Sequence, residues 1–164
     1  MWNNADMSAD QSSQLKAQLQ ANLTTAIKAR DQLTSSTLRM VLTAVTNEEV
    51  AGKEVRVLTD ADVLTVLTRE AKKRRESAVA YTDANRPELA ERENAELGVI
   101  NAYLPEQLSD QELADIVAAA IASVAESGAS GGAALGAVMK IVQPQVKGRA
   151  DGGAVAAMVK QALG

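Results

Sequence analysis

Apolar residues recur at three- and four-residue intervals along most of the chain, and no stretch keeps the two-residue alternation of a strand. Leu15, Leu19, Leu23 and Ile27 form one stripe and predict a first helix, opened by Ser12 or Ser13. Thr34-Ser35-Ser36 reads as the break after it and as the cap of a second helix. The second stripe is Leu38, Val41, Leu42 and Val45, with Gly52 suited to the position just past its end. Thr59 to Asp62 opens a long third helix, with carboxylates in the first turn where the helix dipole favours them. Leu64, Leu67, Ala71, Ala78 and Tyr81 are assigned to its inner face. Pro87 suits the first turn of a fourth helix, whose stripe is Leu97, Ile100 and Leu104 before Pro105 stops it.

The remaining third has the same period. Ser109 and Glu112 have the spacing of a capping box and open a fifth helix through Leu113, Ile116, Val117, Ala120, Ile121 and Val124. Gly128 closes it. A sixth helix carries Leu135, Val138, Met139 and Val142 and is predicted to end at Pro144, with residues 145–149 a loop. Asp151 caps a seventh helix with Val155, Met158, Val159 and Leu163. The pattern predicts an all-α protein: residues 1–12 a disordered extension, 13–107 a four-helix N-terminal domain, and 108–164 a three-helix C-terminal tail.

Composition removes whole classes of chemistry. The 164 residues include no Cys and no His, so disulfides, thiolate nucleophiles, Cys/His metal sites and imidazole bases are excluded. One Trp, two Tyr and no Phe argue against a module that stacks bases on aromatic rings. No Gly-rich loop ends in Gly-Lys-Ser/Thr, so there is no nucleotide P-loop, and no cofactor is assigned. The 31 Ala point to helices packed on small side chains. The N-terminus has no apolar signal core, and the apolar run 116–125 is shorter than the roughly 20 residues of a membrane span. The expected compartment is the cytoplasm.

Net charge is −4, but residues 1–126 carry −7 and residues 127–164 carry +3. In the basic part, Lys147-Gly148-Arg149 precedes a helix start, with Lys140 upstream. Two cations on a glycine-containing turn can meet a phosphate, and the plainer alternative is a loop with ordinary surface charges. Arg69, Lys72 and Lys73 form a second basic face, for which a solvated helix surface with short-range ion pairs is the competing reading. Arg74 falls within an apolar stripe, where it must bury its stem and find a carboxylate. Glu48-Glu49 and Asp60/Asp62 have no third ligand type nearby, so no metal site is assigned. Ser127 to Gly132 is Gly/Ser-rich but lacks a base, which fits a helix terminator better than a nucleophile.

Four segments carry a family resemblance: Ser36-Thr37-Leu38-Arg39; residues 69–81, REAKKRRESAVAY; residues 102–109, AYLPEQLS; and residues 136–140, GAVMK, with 147–152, KGRADG. Over residues 13–164 the chain resembles YqeY proteins, free-standing relatives of the C-terminal part of the GatB subunit of Asp-tRNA/Glu-tRNA amidotransferase. The resemblance implies a helical domain followed by a three-helix tail that helps hold tRNA. It implies Lys140, Lys147, Gly148 and Arg149 as the nucleic-acid-contacting positions. The catalytic domains of the amidotransferase are absent here, so its activity is not inherited.

Three functions follow as expectations. The first is a non-catalytic tRNA-binding accessory module. The second is a protein–protein adaptor for an aminoacyl-tRNA synthetase or an amidotransferase. The third is a carbon–nitrogen ligase using glutamine as amide donor, which the missing Cys and the absence of a base near any Ser count against.

Overall fold

In the computed structural model, residues 13–164 are described; the expected disordered extension over 1–12 lies outside them. The described chain is all-helical, with α1 Gln14–Lys28, α2 Gln32–Glu49, α3 Asp60–Asp83, α4 Pro87–Asn101, α5 Asp110–Ala125, α6 Gly131–Val146 and α7 Gly152–Leu163. It divides into two compact units, one ending at Leu104 and holding α1–α4, the other spanning Pro105–Gly164 and holding α5–α7.

In the first unit α3 packs most extensively on α4, and α1 on α2. Their core gathers Leu19, Leu38, Val41, Val45, Leu67 and Ile100, each fully buried. On α3 the buried positions are Val63, Val66, Leu67, Glu70, Ala71 and Ala78, while Leu64 and Tyr81 are only half-buried. The face is therefore wider than the predicted stripe, because α3 contacts α1, α2 and α4 together. The second unit closes over Val and Ala: Val117, Ala120, Val138, Val142, Val155 and Val159 are all at most 2 % exposed. Small side chains let these three short helices approach closely.

Caps explain most boundaries. Ser13 caps α1 by accepting from the Lys16 N–H, and its hydroxyl donates to Asp60 at 2.6 Å. Thr59/Asp62 and Ser109/Glu112 each form a full capping box. Two boundaries differ from the pattern. Thr34–Ser36 lie inside α2, because Asp31 caps it first, accepting from the Thr34 N–H at 3.0 Å. Pro144 lies inside α6, which runs to Val146. So near the end the proline costs one hydrogen bond, leaving the Lys140 carbonyl without its usual i+4 donor.

Two helices end in the same motif with different residues. After α3, Arg86 N–H reaches the Tyr81 carbonyl and Asn85 N–H the Thr82 carbonyl, with Asn85 at φ +59°. After α1, Asp31 N–H reaches the Ala26 carbonyl and Arg30 N–H the Ile27 carbonyl, with Arg30 at φ +57°. Both are Schellman closures. Asn tolerates the left-handed conformation; for Arg it costs about 1 kcal/mol.

Candidate nucleic-acid interface

The turn between α6 and α7 is built by hydrogen bonds to its own unit. Gly148, at φ +74°, is buried, and its carbonyl accepts from the Gln107 side chain at 2.8 Å. The Leu108 N–H donates to the Arg149 carbonyl at 2.8 Å. Arg149 turns its guanidinium back onto the chain: Nε donates to the Glu106 carbonyl at 3.1 Å and Nη1 to the Gln145 carbonyl at 3.4 Å. Asp151 caps α7 by accepting from the Ala154 N–H.

The four positions therefore divide. Gly148 and Arg149 hold the turn together. Lys140 and Lys147 are exposed, and no carboxylate pairs with either among the described residues. Lys147 follows Lys140 by seven residues, with α6 running up to it. Two turns of helix put the pair on one face, about 10 Å apart along the axis. Lys160 is also exposed, in the last turn of α7.

The charge asymmetry changes meaning once the units are known. The second unit holds Lys140, Lys147, Arg149 and Lys160 against Glu106, Asp110, Glu112, Asp115, Glu126 and Asp151, a net −2, and the first unit is also −2. The contrast seen along the chain lies inside the second unit, between an acidic α5 and basic α6–α7. A cut at residue 126 separates helices that share one core.

The second basic face is neutralised by ion pairs. Arg69 reaches Glu48 of α2 at 2.8 Å, Lys73 reaches Glu70 at 3.0 Å, and Lys72 lies 3.9 Å from Glu76. The Arg69 hydrogen bond also holds the Glu48 carboxyl below its ordinary pKa. Arg74, its side chain 12% exposed, lies between α3 and α4, with Nε 2.9 Å from Glu96 and 3.7 Å from Glu93, and Nη2 3.8 Å from Glu70. Its Nη2 also faces the Met40 sulfur at 3.4 Å. Three carboxylates surround this guanidinium, and the exposed Lys73 and Arg92 balance them from the rim.

Sequence patterns missed the buried Glu70 and Glu96. The available signal was Glu96 sitting one helical turn before Ile100, on the inner face of α4.

Comparison with known proteins adds the family. The family described as Yqey-like protein matches residues 16–163. The chain belongs to the YqeY-like family. That match spans both units, so the two together are the YqeY-like unit of sequence. Among curated relatives, an uncharacterized protein of Schizosaccharomyces pombe is 34% identical over 97 residues, covering 58% of this chain and 76% of the relative. The mitochondrial "altered inheritance of mitochondria protein 41" of Candida glabrata is 27% identical over 88 residues, covering 54% of this chain and 48% of that protein. Among the described residues of this YqeY-like chain, no helix is long and apolar enough to cross a membrane, and no cluster of acidic residues could hold a metal ion.

Proposed function

We propose that this YqeY-like protein is a non-catalytic RNA-binding accessory module of aminoacyl-tRNA metabolism. In it the three-helix unit contacts tRNA phosphates through Lys140 and Lys147. One observation carries the reading: two exposed lysines, one on α6 and one capping its end, neither with a carboxylate partner among the described residues, next to a turn that Gly148 and Arg149 hold together. Lysines so placed meet backbone phosphates, and backbone recognition of folded RNA needs cations and shape rather than aromatic rings. Arg149 is a positioning residue in this scheme. The four-helix unit serves as scaffold, and the proposed compartment is the cytoplasm. No catalytic step is assigned to this chain.

Filter binding of tRNA at several salt concentrations tests it. Lys140→Glu/Lys147→Glu is expected to weaken binding about tenfold or more and to reduce the salt slope by about 2. Equal binding by wild type and double variant rejects the reading.

A second reading, the adaptor, is supported by Val55 and Val57. They are 76% and 67% exposed in the connection between α2 and α3. Pull-down after nuclease treatment separates the two: a synthetase or amidotransferase retained without RNA, and released by Val55→Ser/Val57→Ser, favours the adaptor.

A further inference from the structure

We propose that a pocket at the α1–α2 corner, lined by Ile27, Arg30, Gln32, Ser35, Ser36 and Arg39, binds a phosphate group.

Two guanidinium groups line this one pocket, and neither pairs with a carboxylate among the described residues. Arg56, Arg69, Arg74 and Arg92 of the same unit each have a carboxylate partner, while Arg75 and Arg86 share the unpaired state but do not line this pocket. Asp31, the nearest acid in sequence, is occupied: its two oxygens accept from the N–H and the hydroxyl of Thr34. Around the cations stand the Gln32 amide and the Ser35 and Ser36 hydroxyls, which donate to the Gln32 and Leu33 carbonyls of their own helix. On α2, Gln32, Ser35/Ser36 and Arg39 follow at helical spacing, so they line one side of the pocket. Arg30, which follows α1, also lines it. It occupies the left-handed position closing α1, where glycine is the usual residue, and so brings a cation to the corner.

Two arginines beside an amide donor match the charge and hydrogen-bonding needs of a phosphate. Shared chemistry covers two sources, an RNA backbone phosphate and a free phosphate ester. The pocket lies in the first unit, and Lys140 and Lys147 belong to the second.

The test titrates the full chain calorimetrically with inorganic phosphate and, separately, measures filter binding of tRNA. The variants are Arg30→Gly, Arg39→Gln and their combination, with Lys140→Glu/Lys147→Glu as control. The combined variant is expected to lose about tenfold or more in phosphate affinity, and the lysine control none. Arg30→Gly is expected to melt at or above the wild-type temperature, so its loss of binding is not unfolding. Loss in both arms identifies RNA phosphate as a ligand, and loss in the phosphate arm alone identifies a free phosphate ester. No wild-type phosphate binding up to about 10 mM, or equal affinity in wild type and the combined variant, overturns the proposal. A tRNA defect in the lysine variant alone leaves the α6 reading standing when the pocket fails.

Discussion

Arg149 donates from its Nε to the backbone carbonyl of Glu106, 43 residues earlier in the chain, at 3.1 Å. A cation on a basic turn is thereby spent on architecture. The same bond ties the segment before α5 to the α6–α7 turn, and the Leu108 and Gln107 hydrogen bonds run parallel to it.

Arg149→Ala is therefore expected to destabilise the second unit by about 1–2 kcal/mol. Lys147→Ala is expected to change stability by no more than about 0.5 kcal/mol. Hydrogen exchange of α6 and α7 amides checks the contrast. Equal protection in the two variants would show that the clamp contributes nothing.

Arg74 makes a sharper case. Arg74→Met leaves Glu70, Glu93 and Glu96 facing one another without their shared cation, at an expected cost of about 3–5 kcal/mol in urea unfolding. Adding Glu93→Gln and Glu96→Gln is expected to restore most of that loss, because the uncompensated charge is then removed. A fully additive triple variant contradicts the network.

Stability is expected to be flat from about pH 5 to 8, because no His or Cys side chain titrates there. Below about pH 4 it should fall. Several carboxyls are held below their ordinary pKa. The Arg69 hydrogen bond does this for Glu48, the Thr59 N–H for Asp62, the Ser109 N–H for Glu112, the Ser13 hydroxyl for Asp60 and the Thr34 hydroxyl for Asp31. In that window the unfolded chain binds more protons than the folded one. Their stabilisation is thus complete above the ordinary carboxylate range and is lost as pH falls through the lowered values. Melting temperatures between pH 8 and 3 check it, with Glu112→Gln expected to show a shallower acid slope.

The two Schellman closures give an internal comparison. Arg30→Gly is expected to stabilise by about 0.5–1 kcal/mol, and Asn85→Gly by less, because Asn already tolerates φ near +59°. Thermal unfolding of the two variants side by side measures the difference.

Helices were readable because their signals are local. The stripes Leu15–Ile27 and Leu38–Val45, the Ser109/Glu112 box and the Asp151 cap depend on residues within one or two turns of each other. Where local signals competed, the pattern chose wrongly. Asp31 caps ahead of Thr34–Ser36, and Pro144 is tolerated in the last turn of α6. Periodicity also underestimated α3, which meets three helices and so buries a wider face than one stripe.

By itself the sequence determined an all-helical chain without imidazole or thiol chemistry, and the family resemblance singled out the turn Lys147–Gly152. Only the tertiary structure decided which cations are available. Arg149, Arg69 and Lys73 look alike in sequence to Lys140, Lys147, Arg30 and Arg39. The first three are bound to a carbonyl or a carboxylate, two of them on another helix or connection, while the other four carry no carboxylate partner among the described residues. A charge's availability depends on what faces it across a helix interface. For Lys73 that partner is Glu70 on its own helix, but for Arg69 and Arg149 it is set by packing between segments tens of residues apart, which no local pattern encodes.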